Sequence, residues 1–377
     1  MTLLFIGLMS GTSLDGIDAV VADFDGAGGA DRPCVLAHAK RDFPTSLSAE
    51  LLSLNWSGAD EIHRGALAAN ALAREYAALV DALLRGASTA RDQVSAIGCH
   101  GQTVRHRPRE FDGTGYTVQL NAPALLAELA GIDVVADFRS RDVAAGGQGA
   151  PLVPAFHRAM FSRPATAIAV LNLGGIANLT VLEAHGGTTG FDCGPANALL
   201  DLWCSAATGR SFDAKGAWAA SGTVDLRLLD TLFDEPYFSL TPPKSTGRDL
   251  FHREWLDARL LASEARRRLG DEDIQATLAE LTAQSCGRAL RDHGAGATEV
   301  IVCGGGAFND DLMKRLRRAM APTPVVASDA RGLPPDQVEA TAFAWLARAF
   351  VQREPGNIAA VTGAAGPRIL GALYPAR

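Results

Sequence analysis

The sequence predicts an α/β fold of two related domains, each a mixed sheet flanked by helices, and three observations predict it. At 377 residues the chain is longer than one hydrophobic core usually spans. Apolar strand-like runs alternate with amphipathic helical stretches along its length. One unit, an apolar strand, a glycine-rich turn and a second apolar strand, occurs twice and reads as an internal structural repeat.

Taken in order, Leu3 to Leu8 is apolar, Ser10-Gly11-Thr12-Ser13-Leu14-Asp15-Gly16 is turn chemistry, and Ile17 to Phe24 is apolar again. No basic region precedes this start, so it reads as a first strand rather than a leader peptide. From Glu61, the residues Ile62, Ala66, Ala69, Ala73, Tyr76, Val80 and Leu83 recur at spacings of three and four and predict one face of a long helix. Strands are expected at Ala96 to Cys99 and Asp133 to Ala136. The stretch from Pro164 to Leu182 is uncharged and long enough to span a membrane, but Asn172, Gly174, Gly175 and Asn178 stand at its centre. It reads instead as strand (Ala165 to Leu173), glycine turn and strand (Ile176 to Leu182), the second copy of the repeat. Ile274, Leu278, Leu281 and Ser285 predict a helix behind Asp271, a candidate cap. Val300 to Cys303 is a strand running into Gly304-Gly305-Gly306, and Gln337 to Val351 a helix behind Pro334-Pro335. Residues 1–130 with 352–377 are expected to form one domain and 131–351 the other, with the two glycine-tipped hairpins facing a shared cleft.

Composition excludes several function classes. The net charge is -7 and the 35 Lys and Arg residues are scattered, which disfavours a nucleic-acid surface. Six cysteines show neither CxxC nor Cys/His ligand spacing, so neither a zinc site nor a disulfide framework is expected, and reduced thiols fit a cytoplasmic protein. His100 and His106 have no third ligand beside them and read as strand-end hydrogen-bonding groups.

Each of the three glycine turns follows a strand, and glycine lets backbone N–H groups approach phosphate oxygens closely. One such turn would say little; three in one chain point to a nucleotide. No GxxxxGK[ST] loop is present, and Gly304-Gly305-Gly306-Ala307-Phe308-Asn309 lacks GxGxxG spacing, so P-loop and dinucleotide folds drop out.

Two phosphate hairpins in related domains, with a later glycine turn near the adenosine, resemble the superfamily of sugar kinases, actin and Hsp70, whose domains are RNase H-like and close over ATP in the cleft between them. Within it, Gly7-Leu-Met-Ser-Gly-Thr-Ser-Leu-Asp-Gly-Ile-Asp18, His100-Gly-Gln-Thr103, Asp137-Phe-Arg139, Ala144-Ala-Gly-Gly-Gln-Gly-Ala-Pro-Leu-Val-Pro154, Asn172-Leu-Gly-Gly-Ile-Ala-Asn178, Gly190-Phe-Asp192, Pro242-Pro-Lys-Ser-Thr-Gly-Arg248, Cys303-Gly-Gly-Gly306 and Val361-Thr-Gly-Ala364 resemble the anhydro-N-acetylmuramic acid kinase family. The motifs follow one another in order along nearly the whole chain. The resemblance implies an enzyme of cell-wall recycling that uses ATP and water to open the 1,6-anhydro ring and phosphorylate O6, giving N-acetylmuramic acid 6-phosphate. It also implies a homodimer.

That chemistry needs a carboxylate, because O6 is an ether oxygen with no proton and the base must activate water for attack at C1. The resemblance places the catalytic aspartate at Asp192, the reading favoured here; the alternative is an N-cap for a helix opening near Pro195, a common use of Asp at that spacing. The family usually has Thr and Gly where this chain has Cys193 and Ala196. Gly11, Thr12, Ser13, Leu14, Asp15, Gly16, Ile17 and Asp18 in the first hairpin, Gly174, Gly175 and Asn178 in the second, and Gly304, Gly305 and Gly306 are expected to contact ATP. Asp15, with Asp18 beside it, suits hydrated Mg²⁺ or a turn-stabilising role. Gln102, Thr103, Asp137, Arg139 and Gln148 follow predicted strands and suit an amino sugar, Arg139 its lactyl carboxylate; each suits a loop hydrogen bond or a surface ion pair as well. Lys244, Ser245, Thr246 and Arg248 lie in a Pro-bounded loop that either reaches the nucleotide or crosses in solvent. Two other readings compete: a sister kinase acting on an ordinary sugar hydroxyl, and a nucleotide switch of the actin or Hsp70 kind, which the absence of a separate peptide-binding region disfavours.

Overall fold

The computed structural model describes residues 4–11, 14, 16–24, 33–247, 250–294 and 296–377. They divide into two compact units, Met1–Met160 with Gln337–Arg377, and Phe161–Asp336.

The first unit is built on strands β1 (Leu4–Met9), β2 (Gly16–Asp23), β3 (Cys34–Asp42), β4 (Val94–Cys99), β7 (Val134–Ala136) and β13 (Ala372–Tyr374), in the order β13-β7-β4-β1-β2-β3. A separate hairpin holds β5 (Gln102–Pro108) and β6 (Gly115–Leu120). β1, β2 and β3 form an antiparallel meander, while β4 runs parallel to β1 and β7 parallel to β4. Leu4, Ile6 and Leu8 of β1 alternate toward helices α1 (Thr45–Ser53), α2 (Glu61–Gly86) and α3 (Pro123–Ala130) and share one core with Tyr76, Val80 and Leu83. Two predicted α2 positions are exposed: Ile62, at 91%, precedes the first buried residue of the helix, Gly65, and Ala66 lies off the buried face, which runs through Gly65, Ala68, Ala69 and Leu72. Next in the chain come α4 (Ser140–Ala144), within the first unit, and α5 (Val153–Phe161), at whose last residue the chain passes to the second.

Helix α12 (Val338–Val351) is apolar nearly all round and packs on β1 and β4. It comes so close that a Cβ at Gly7 would lie 1.8 Å from the Ala340 carbonyl oxygen, and one at Gly98 2.0 Å from that of Phe343. A short α13 (Ala359–Thr362) follows.

The second unit repeats the plan. Its strands β8 (Ile168–Leu173), β9 (Ile176–Leu182), β10 (Thr188–Pro195), β11 (Val300–Cys303) and β12 (Val325–Ala327) lie in the order β10-β9-β8-β11-β12, an antiparallel meander followed by two parallel strands. This matches β3-β2-β1-β4-β7, so each unit begins with a glycine-turned hairpin. The helices are α6 (Asn197–Thr208), α7 (Leu226–Phe233), α8 (Arg253–Ala262), α9 (Ala265–Arg268), α10 (Asp271–His293) and α11 (Asp310–Ala319). Ile274, Leu278, Leu281 and Ser285 of α10 are all buried, the first three within the core of this unit. Gly270 rather than Asp271 is the N-cap of α10, and the Asp273 carboxylate accepts from the Gly270 N–H at 3.3 Å.

The unit boundaries differ from those expected at 130/131 and 351/352. β7 completes the first sheet by pairing with β4, and α12 covers that sheet, so residues 131–160 and 337–351 belong to the first unit. Among the described residues no helix is long and apolar enough to cross a membrane, and residues 168–182 are the β8–β9 hairpin.

Candidate functional site

In the second unit, strand register assembles a polar row. Asn172 on β8 stands opposite Asn178 on β9, which stands opposite Asp192 on β10; directly opposed residues share a face of the sheet, so the three line up beside the Gly174-Gly175 turn. A register shift between Asp192 and Gly194 makes Cys193 a bulge, and Gly194 at φ +146° leaves it in a conformation suited to glycine. Bulges re-aim neighbouring side chains, and this one directly follows Asp192. Cys193 is buried, its thiol pushed well up by a hydrogen bond with Cys286 and by desolvation.

Asp192 is held on three sides. Its N–H donates to the Lys244 carbonyl at 3.1 Å, its carbonyl accepts from the Tyr237 hydroxyl at 2.7 Å, and its Oδ2 accepts from the Thr246 N–H at 3.0 Å. Lys244 Nζ donates to the Tyr237 carbonyl at 3.4 Å and lies 4.9 Å from the centre of the Tyr237 ring. Burial raises the Asp192 pKa from 3.8 to about 7, against the opposing pull of the Thr246 N–H and the Lys244 cation. Burial lowers that of Lys244. No donor other than Thr246 bonds this carboxylate among the described residues, which leaves Oδ1 for a reacting proton. The capping role open on spacing does not hold: α6 begins at Asn197 with Ala196 as N-cap and no side-chain cap.

The Gly174-Gly175 turn is oriented by α6. Asn197 N donates to the Gly174 carbonyl at 3.1 Å, and Ala196 N and Ala198 N donate to the Gly175 carbonyl at 3.0 Å each. With its carbonyls tied to the helix, the turn presents its own N–H groups, which donate to no backbone acceptor among the described residues outside the strands. Such a paired N–H tip suits phosphate oxygens. Beside it, Gly304 has φ +80° and a Cβ there would lie 2.4 Å from Asn172 Oδ1, while Gly305 approaches Asn197 Nδ2. The second hairpin and the third glycine turn therefore share one place. Gly306 backs onto Leu173.

In the first unit, Thr12, Ser13 and Asp15 lie outside the described residues, and with them the Mg²⁺ assignment to Asp15. Of the remaining tip, the Gly11 carbonyl accepts from Leu14 N at 3.3 Å and from Gln102 Nε2 at 3.1 Å. The Tyr76 hydroxyl donates to Ser10 Oγ at 2.8 Å, which donates on to the Gly101 carbonyl at 3.1 Å. The side chains of Leu14 and Ile17 are in the core, so only their backbone could reach a nucleotide. Gly16 presses on β3, where a Cβ would lie 2.4 Å from the Arg41 carbonyl oxygen. The Asp18 carboxylate is turned to β3, with His38 Nε2 at 3.2 Å and Lys40 Nζ at 3.9 Å.

Arg139 is the best-built member of the sugar set. Its Nε and Nη2 donate to His100 Nε2 at 3.1 and 2.9 Å, and its Nη1 to the Gly149 carbonyl at 2.8 Å. Accepting these bonds requires neutral His100, and burial, then the Arg139 charge, lowers its pKa to about 3. Desolvation lowers Arg139 to about 10, which leaves it a cation at neutral pH. A guanidinium has five N–H donors; three are used, and one remains on each terminal nitrogen, the fork that a carboxylate accepts. Gln102 is buried, Thr103 Oγ1 accepts from Gln119 Nε2 at 3.3 Å, and Gln148 adjoins Gly149 with its N–H on the Thr362 carbonyl at 2.8 Å. Asp137 is exposed, at φ +57°, and accepts from Ser140 Oγ at 2.5 Å, which fits a local turn better than the Arg139 cluster. Sequence did not indicate Asn197 or Tyr237 and gave Asn172 only as part of a motif, without a role; their places arise from strand register and from contacts far apart in the chain.

The family profile described as "Anhydro-N-acetylmuramic acid kinase" matches residues 3–376. A relative of that name from Bordetella petrii is 59% identical over 99% of this chain and 96% of its own length. One from Variovorax paradoxus is 58% identical over 99% of each chain. Among solved structures, an activator of the 2-hydroxyisocaproyl-CoA dehydratase from Clostridium difficile with bound ADPNP is 12% identical, covers 93% of this chain and 96% of its own, and aligns with a TM-score of 0.46.

Proposed function

The chain belongs to the anhydro-N-acetylmuramic acid kinase family, and from that premise we propose how its residues divide the reaction. It is an ATP-using kinase of anhydro-N-acetylmuramic acid in cell-wall recycling. In our reading Asp192 is the general base: it takes a proton from water as the water oxygen attacks C1, the C1–O6 bond breaks, and O6 accepts the γ-phosphoryl group while ADP leaves. The observation that carries this is a half-buried carboxylate raised to about 7, with one oxygen fixed by Thr246 N–H and the other unclaimed. A base poised near operating pH combines availability with proton affinity.

The N–H groups of Gly174 and Gly175, with Gly304, Gly305, Gly306 and the Gly11 region, hold ATP in this reading, and Asn178 lies in the same row as Asp192. Gln102, Thr103, Gln148 and Arg139 recognise the sugar, the open Arg139 fork taking the lactyl carboxylate. Asp18 does not fit a magnesium ligand, being paired with His38 and Lys40, so no step is assigned to Mg²⁺, which would enter with the ATP phosphates. A cytoplasmic homodimer completes the proposal.

The test is mass analysis of the product made from anhydro-N-acetylmuramic acid and ATP, run beside N-acetylmuramic acid and glucosamine derivatives. The expected product gains one water and one phosphate. Phosphate gain without water, or turnover of the open sugars alone, would overturn the ring-opening reading.

A further inference from the structure

We propose that Asp142 is a positioning residue of the sugar site: with Asn357 and Thr362 it locks the Gly146–Gly149 loop so that Gly149 holds Arg139 in register. The inference rests on the reading of Arg139 as the group that recognises the sugar carboxylate.

Asp142 lies on α4 and is fully buried. Its Oδ2 accepts from Gly149 N at 2.8 Å; its Oδ1 accepts from Asn357 Nδ2 at 2.6 Å and Thr362 Oγ1 at 2.7 Å. Both partners are themselves buried, and they reach it across more than 200 residues of sequence. The loop is shaped to this carboxylate: a Cβ at Gly147 would lie 2.2 Å from Asp142 Oδ2, and Gly149 sits at φ +68° with Val143 Cγ2 2.8 Å from where its Cβ would be. The carbonyl of Gly149, whose N–H Asp142 fixes, accepts from Arg139 Nη1 at 2.8 Å. A second tie joins the same two segments, for Gln148 N donates to the Thr362 carbonyl, and Arg109 Nη2 donates to the carbonyls of Gly146 at 2.8 Å and Gly363 at 3.3 Å.

Burying a carboxylate costs several kcal/mol before its hydrogen bonds offset that cost, and apolar packing would often serve stability as well. What three aimed donors add is a fixed geometry. Here the geometry converges on one peptide oxygen, and that oxygen together with His100 decides where the free fork of Arg139 points. Thr362 belongs to the Val361-Thr-Gly-Ala364 motif, for which the proposed chemistry has no other use.

The test compares Thr362→Val with Thr362→Ser in the full-length enzyme, reading kcat, the KM for anhydro-N-acetylmuramic acid, the KM for ATP and thermal stability. Thr362→Val removes one donor at nearly constant shape and is expected to raise the sugar KM about tenfold while the ATP KM stays within about twofold. Thr362→Ser restores the hydroxyl and the sugar KM. A Thr362→Val enzyme with lowered melting temperature and an unchanged sugar KM would overturn the proposal and leave Asp142 a purely structural group. Arg139→Lys, which removes the fork, separates the two layers: an unchanged sugar KM there refutes the reading of Arg139, whereas a raised one with silent Thr362→Val refutes only the positioning role.

Discussion

Replacing Asp192 by Asn keeps the size of the side chain and an oxygen for the Thr246 N–H, and removes only proton acceptance. General-base catalysis contributes about 10²- to 10⁴-fold, so kcat is expected to fall at least about a hundredfold with ATP and sugar affinities retained. The pH profile is the sharper readout. With a pKa of about 7, the wild-type base is about half ionised at pH 7 and about a tenth ionised at pH 6, so kcat should drop about tenfold from its plateau to pH 6. That acid limb should vanish in the variant. Near-normal turnover in folded Asp192→Asn, or a wild-type profile flat between pH 6 and 8, would refute the assignment.

The same shift has a stability consequence of definite sign. Since the folded-state pKa lies above the ordinary 3.8, the folded protein binds the proton more tightly than the unfolded chain between about pH 4 and pH 7. The contribution of Asp192 to wild-type stability therefore declines through that window as pH rises and is smaller at pH 8 than at pH 5. The whole shift corresponds to about 4 kcal/mol, of which about 3 falls between pH 5 and pH 8, and solvent around a partly buried group reduces both figures. Asp192→Asn lacks this term, so ligand-free variant and wild type should diverge in the variant's favour from pH 5 to pH 8 in chemical denaturation. A constant difference across that range would refute the linkage, and with it the raised pKa.

Lys244→Met removes a cation that favours ionised Asp192, so the acid limb of kcat should move to higher pH; an unmoved limb would show that the two charges are uncoupled. At Gly174 a Cβ would meet only the Ile176 carbonyl oxygen at 3.8 Å, so Gly174→Ala should leave the melting temperature unchanged yet weaken ATP binding if phosphate approaches the turn. Unchanged ATP affinity in that variant would remove the turn from the nucleotide site. Gly304→Ala places a Cβ against Asn172 and the Leu173 carbonyl at positive φ, and should cost about 1–3 kcal/mol in chemical denaturation; a neutral change would mean the turn relaxes freely.

The parts of this fold that were legible in sequence are those written in short-range chemistry. Strand, glycine turn and strand each occupy a few adjacent residues, so both hairpins were readable, and β9 and β11 were placed to the residue. Units closed by distant segments were not: α12 follows the second unit in sequence but covers the first sheet, and nothing local in Val338–Val351 says which sheet it will cover. The exposed strand β3 and the β5–β6 hairpin, with many polar residues, carry little hydrophobic signal.

The candidate site divides along the same line. Asp192 was nameable because a motif surrounds it, yet its chemistry depends on Tyr237, Lys244 and Thr246, some fifty residues on, and on a bulge at Cys193 that leaves no periodic trace. An aspartate in solvent near a strand end would titrate near 3.8 and be a poor acceptor at neutral pH. Desolvation makes it a base, and desolvation is a property of packing. The motif therefore identifies which carboxylate reacts, while the loop that folds over it determines the pH at which it can. A chain keeping Gly190-Phe-Asp192 but losing the 242–247 loop should bind ATP and lose the acid limb near pH 7, since with the loop gone solvent would return the carboxylate toward its ordinary range.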